Sequence, residues 1–81
     1  MPFVYMLCCG DGSLYTGIAK DVSKRLKQHQ AGRGSKYTAA HLPVSLVWQR
    51  EVATWKDALL TERAIKKLSR EKKLKLAATG R

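Results

Sequence analysis

Acidic residues are scarce in this chain. Six aspartates and glutamates stand against sixteen lysines and arginines, giving a formal charge of +10 over 81 residues. The pI is near 10.1. So large a positive excess on so small a body attracts polyanions, nucleic acid first and an anionic membrane second. Charge alone does not imply an enzyme, because a generic basic surface or a ribosome-associated protein has the same balance. Cysteine is nearly absent. The two present, Cys8 and Cys9, are adjacent. That makes a stapling disulfide between them implausible, and no Cys-x-x-Cys spacing offers a zinc or redox site. Free thiols in a reducing cytosol are the simpler reading. Long apolar runs are missing as well. No stretch is apolar enough to span a bilayer, and the start has no basic segment followed by an apolar one. The expectation is a soluble, cytoplasmic protein with no membrane partner.

What the chain does have is a clear order of elements. Its length predicts one domain, residues 1–81, with a single modest core. Val4-Tyr5-Met6-Leu7 reads as one strand and Leu14-Tyr15-Thr16-Gly17-Ile18 as the next. Between them Gly10-Asp11-Gly12 is a hairpin signal, since glycine accepts the positive φ of tight turns. That loop sets Cys9 opposite Ser13, Leu7 opposite Tyr15 and Tyr5 opposite Gly17. Tyr5 and Tyr15 then project from one face as diagonal neighbours. Two phenols beside a bare glycine suggest a place where a ligand backbone comes close, or simply two strand aromatics. Asp21 is a plausible N-cap for a helix to about Ala31, ended by Gly32-Arg33-Gly34. Residues 34–43 read as a loop, and Val44 to about Val52 as the third strand. Thr54 opens a longer helix to Leu68, with Asp57 three residues on, and Ser69 caps a short last helix to about Ala78. The predicted order is β-β-α-β-α-α. The predicted class is α+β, a small three-stranded antiparallel sheet with helices packed on it.

Some residues look out of place. Val22, Arg25, Leu26 and His29 share one face of the first helix, so a cation and an imidazole lie on the stripe that meets the sheet. Arg25 at the stripe's edge could equally snorkel to water. In the longer helix, Trp55, Ala58, Leu59 and Ile65 mark the apolar stripe, and Glu62 falls inside it. A carboxylate there needs a partner. Arg25 could serve as an ion pair, or the carboxylate could face a cleft and bind a hydrated divalent cation. Lys36-Tyr37-Thr38 lies beside Arg33 in the glycine-flanked loop, a composition that suits phosphate or sugar contacts. Lys66, Lys67, Arg70, Lys72, Lys73 and Lys75 form a basic run that adds nonspecific phosphate attraction or is merely a solvated surface. His41 has no recognisable partner and is given no role.

Taken in order, these segments resemble the GIY-YIG nuclease superfamily, specifically its small stand-alone bacterial members, the YhbQ-like group. The resemblance runs from Phe3 to about Leu76. It is carried by Gly12-Ser13-Leu14-Tyr15-Thr16-Gly17-Ile18, Arg25 to His29, Gly34 to Thr38, and Glu62-Arg63-Ala64-Ile65-Lys66-Lys67-Leu68. Phe3-Val4-Tyr5 stands where the family has Gly-Ile-Tyr, and Tyr15-Thr16-Gly17 where it has Tyr-Ile-Gly. Many catalytic members use an asparagine late in the domain, and this chain has no asparagine. The resemblance implies an endonuclease of low sequence specificity acting on nucleic acid, DNA first. It implies a single divalent metal, magnesium or manganese, held by Glu62, and no small-molecule cofactor. Tyr5 would be the general base, although a phenol near pKa ~10 needs help. Arg25 would favour the phenolate and stabilise the transition state. Tyr15 and His29 would orient water or relay protons, and Gly17 would let the substrate backbone approach. Arg33, Lys36, Tyr37, Thr38 and Lys66 would contact nucleic acid. A binding module that kept the fold without useful turnover is the rival expectation, and the oligomeric state is left open.

Overall fold

A computed structural model describes residues 1–79. Gly80 and Arg81, the last two positions of the expected domain, lie outside the described residues. Strands β1 (Phe3–Cys8), β2 (Leu14–Ala19) and β3 (Ser45–Glu51) form one antiparallel sheet in the order β2-β1-β3. Helices α1 (Val22–Gln30) and α2 (Lys36–Ala40) precede β3, and α3 (Trp55–Lys66) and α4 (Arg70–Thr79) follow it.

The hairpin forms as its turn residues dictate. Gly12 takes φ 84°, and Cys9 N–H closes the loop on the Ser13 carbonyl at 2.8 Å. The register places Tyr5 opposite Gly17 and Leu7 opposite Tyr15, as the sequence predicts. The pairing of β1 with β3 slips between Met6 and Leu7, which face Trp48 and Leu46, so Val47 is the extra residue of a bulge.

Central β1 is covered on both faces. Val4, Tyr5, Met6 and Leu7 are all at most 1% exposed. On one face Tyr5 and Leu7 pack with Val22, Val44 and Leu26, under α1. On the other, Val4 and Met6 pack with Trp48, Ala58 and Ile65, under α3, with Leu76 and Ala77 of α4 at the margin. Burying each such aliphatic side chain stabilises the fold by about 1.5–3 kcal/mol. Two thin cores therefore replace the single one expected. Alternation along β1 then sends Tyr5 to the α1 side and its neighbours to the α3 side.

The caps at Asp21 and Thr54 form as expected, accepting from Lys24 N–H at 3.0 Å and Asp57 N–H at 3.1 Å. Ser69 accepts from Lys72 N–H at 3.2 Å ahead of α4. The expected loop over residues 34–43 is the correction. It contains α2, whose N-cap Ser35 accepts from Thr38 N–H at 3.1 Å, so the order is β-β-α-α-β-α-α. Five residues between glycine and proline are too few for a periodic signal, but Ser35 before Lys-Tyr-Thr-Ala-Ala is a legible cap. Among the described residues no helix is long and apolar enough to cross a membrane.

Candidate active site

Helix α1 lays His29 over the sheet beside Tyr5. Val22 and Leu26 bury against the sheet, and the same helical face carries His29 with no exposure at all. Tyr5 Oη lies 2.8 Å from His29 Nε2, and His29 Nδ1 lies 2.7 Å from Thr38 Oγ1. Arg25, the other side chain that hydrogen-bonds the phenol, can only donate, so the Tyr5 proton needs Nε2 as acceptor. That leaves the imidazole proton on Nδ1, donated to Thr38 Oγ1. Thr38 Oγ1 in turn reaches the Ser35 carbonyl at 3.3 Å and sits 2.9 Å from Ser35 Oγ. The result is a continuous buried relay from strand β1, through α1, to the cap of α2.

Two glycines make room for the relay. A Cβ on Gly17 would lie 2.5 Å from Tyr5 Oη, and one on Gly34 would collide with the His29 ring. Gly17 was expected to admit a substrate backbone; its bare face is instead filled by the Tyr5 phenol. Thr38 was expected to touch nucleic acid, but it is fully buried and its hydroxyl serves His29. It belongs to the interior of the site and cannot reach a phosphate from there.

Electrostatics keep both ring groups neutral. Burial pushes the Tyr5 phenol above its ordinary 10.0. The Arg25 guanidinium pulls the other way, and the charges of Tyr15 and Glu62 add to the rise. Burial, and then the nearby Arg25, push His29 below its ordinary 6.5.

The other expected residues surround this relay. The Tyr15 ring lies 6.5 Å from that of Tyr5 and 5.2 Å from that of His29. Tyr37 stacks over Tyr15 at 6.2 Å and 19°, and Lys66 shares their surface depression. Arg33 and Lys36 are exposed around a neighbouring depression. Half-buried Arg25 donates to Gln28 Oε1 at 3.0 Å and to the Gly34 carbonyl at 3.1 Å. Glu62 pairs with Lys66 at 3.4 Å. The Arg25–Glu62 ion pair, one of the two readings left open by the sequence, is not among the described contacts.

Glu62 is the one expected metal ligand, and its described partner is the Lys66 ammonium. Among the described residues no group of three or more His, Cys, Asp or Glu comes together. A hydrated magnesium or manganese ion needs only one or two carboxylates, so Glu62 is the residue that could hold one. Thr16, in the depression that Lys66 also lines, has a buried Oγ1 with no hydrogen-bond partner. It is an orphaned oxygen that ordered water would satisfy.

His41 and the hairpin tip belong to the site's frame, which sequence reasoning missed. The His41 ring stacks on Tyr37 at 4.4 Å, and its Nε2 lies 3.5 Å from Asp11 Oδ2. Tyr37 Oη donates to Ser13 Oγ at 2.5 Å, and Ser13 Oγ donates to Asp11 Oδ1 at 2.6 Å. These bonds clamp α2 to the β1–β2 turn. Contacts between positions thirty apart leave no local signal.

Comparison with known proteins gives a consistent picture. The GIY-YIG catalytic domain family matches residues 1–75. A UPF0213 protein of Staphylococcus saprophyticus is 50% identical over 78 residues, covering 96% of this chain and 95% of that one. A UPF0213 protein of Streptococcus sanguinis is 53% identical over 72 residues, covering 89% and 83%. The solution NMR structure of a UPF0213 protein from Bacillus halodurans matches with a TM-score of 0.62 and 41% identity, over 98% of this chain and 85% of that chain.

Proposed function

This chain belongs to the GIY-YIG catalytic-domain family, and we propose that it is a metal-dependent endonuclease. Its reaction is hydrolysis of phosphodiester bonds in nucleic acid, DNA in the first instance, with low sequence specificity. The observation that carries the reading is the Tyr5–His29–Thr38 relay, packed against Tyr15, which with Tyr37 and Lys66 lines a surface depression.

The chemistry follows from proton bookkeeping. As water attacks phosphorus, Tyr5 Oη takes the water proton while its own proton passes to His29 Nε2. Thr38 holds the Nδ1 proton, so Nε2 is the nitrogen left to accept. Arg25, anchored by Gln28 and the Gly34 carbonyl, stabilises both the phenolate character of Tyr5 and the added negative charge on the phosphoryl oxygens. Tyr15 packs against both relay rings and fixes their approach. Glu62 would hold magnesium or manganese, which supplies Lewis-acid stabilisation to the leaving 3′ oxygen. Arg33, Lys36, Tyr37 and Lys66 offer exposed contacts to the strand.

One observation favours a second reading. The phenol of Tyr5 is raised, not lowered, in the free protein. A binding module that keeps the fold without turnover would tolerate that.

The test is a cleavage assay on a panel of DNA and RNA structures with magnesium or manganese. Wild type is compared with Glu62→Gln and Tyr5→Phe. The nuclease reading expects cutting by wild type that both variants lose, with binding retained by Glu62→Gln. Tight binding with no cutting by wild type under any condition supports the module instead.

A further inference from the structure

Helix α3 carries a feature that the hydrolytic site does not use. Trp55 is 51% exposed and Leu59 49% exposed, although both are large and apolar. Trp55, Leu59, Glu62 and Lys66 follow at i, i+4, i+7 and i+11, so they share one helical face. The acid Asp57 falls on the opposite side, while exposed Arg63 flanks the face. Seven residues at about 1.5 Å each set Trp55 about 10 Å along the axis from Glu62, roughly three nucleotides of stacked strand.

We propose that Trp55, backed by Leu59, is a stacking site for an unpaired nucleobase on the strand whose phosphate lies near Glu62. The proposal rests on the nuclease reading only for where that phosphate sits. An indole can stack only on a base whose face is open, and bases inside a duplex shield one another. The site therefore selects single-stranded, flapped or gapped nucleic acid over continuous duplex. Charge favours this occupant over a second copy of the chain. Two bodies of +10 repel, whereas a polyanionic strand is drawn to a face bordered by Arg63 and Lys66.

The chain has two tryptophans, and Trp48 is only 4% exposed, so emission from an exposed indole reports on Trp55. The experiment titrates the protein with three probes at fixed salt. They are a single-stranded oligothymidylate, an abasic strand with the same number of phosphates, and a duplex. The oligothymidylate is expected to quench the exposed indole, and the other two are not. Trp55→Ala should weaken oligothymidylate binding by at least about fivefold, with duplex binding little changed and Trp55→Phe retaining most of the affinity. The abasic comparison uses wild type, so it stands even if a variant misfolds. Equal quenching by the abasic strand, or unaltered affinity in Trp55→Ala, overturns the proposal. So does a blue shift with rising protein concentration and no nucleic acid, which would assign the face to a second copy. No cleavage is read in this experiment, so its failure leaves the hydrolytic reading standing, and the reverse holds too.

Discussion

Tyr5 answers two demands that pull against each other. Its burial under α1 fixes the phenol in place, and the same burial makes the phenolate harder to form. His29 eases the conflict only while Nε2 stays unprotonated, and Thr38 secures that by accepting the hydrogen bond that Nδ1–H donates. Thr38→Val should therefore lower kcat by about tenfold, the worth of one lost hydrogen bond, with KM nearly unchanged. Thr38→Ser should restore most of the rate. A variant that merely disturbed packing would not separate kcat from KM, nor be rescued by serine, so steady-state kinetics on both decide the point. His29 also writes itself into the pH dependence of stability. Its pKa is lower folded than unfolded, so the unfolded chain binds the extra proton first. Stability is thus full above the ordinary 6.5 and falls as pH drops below it. Thermal unfolding should show Tm declining from pH 7 toward pH 5 in wild type. In His29→Gln that particular decline should vanish, even though its Tm starts lower. Asp11, whose carboxyl is held below 3.8 by its bonds to Ser13, cannot imitate it because its window lies at lower pH.

Helix α2 is the element that turns separate parts into one site. Its cap supplies Ser35, its first turn supplies Thr38 to the buried relay, and its outer side supplies Lys36 and Tyr37 to solvent. The turn before it must pass directly under the His29 ring, and only glycine fits at position 34. Gly34→Ala should displace the imidazole and cost about 1–3 kcal/mol, seen as a Tm several degrees lower. Activity should fall further than that loss of stability explains, because Tyr5 loses its acceptor. A folded Gly34→Ala with full activity would show that the relay is dispensable. The hairpin register was legible in the sequence, since Gly10-Asp11-Gly12 admits few pairings and the period of two carries Tyr5 opposite Gly17. The caps at Asp21 and Thr54 were legible too, being local chemistry. Helix α2 went unread, because five residues cannot display a helical period and its one local signal was the Ser35 cap. The role of Thr38 was hidden for another reason: a threonine in a polar, glycine-flanked segment looks solvated until α1 is known to cover it.

At the scale of the whole molecule the charge is large but unevenly useful. Sixteen basic residues attract a polyanionic strand, whereas Lys66 is the basic residue that lines the depression beside Tyr15 and Tyr37. Composition put nucleic acid ahead of an anionic membrane or a generic basic surface, and it could not say which cations meet a strand, because that depends on how α3 turns against β2. Lys66 shares its depression with Tyr15 and Tyr37, while Lys75 on α4 is exposed and lies 3.8 Å from Glu71. Salt dependence separates them. Each phosphate contact released should remove about 0.9 from the slope of log K against log salt on duplex DNA, a little less on single strands. Lys66→Ala should therefore flatten that slope by about one contact, and Lys75→Ala should leave it unchanged. Lys66→Ala has a second signature. The ammonium that pairs with Glu62 competes with any cation for that carboxylate. Its removal should tighten manganese binding by about twofold, in line with the modest worth of an exposed i, i+4 pair. Calorimetric titration with manganese reads this without any substrate present. Weaker metal binding in Lys66→Ala would mean that the lysine supports the metal site and does not compete with it. A slope flattened equally by Lys66→Ala and Lys75→Ala would mean that the strand has no preferred path over this surface.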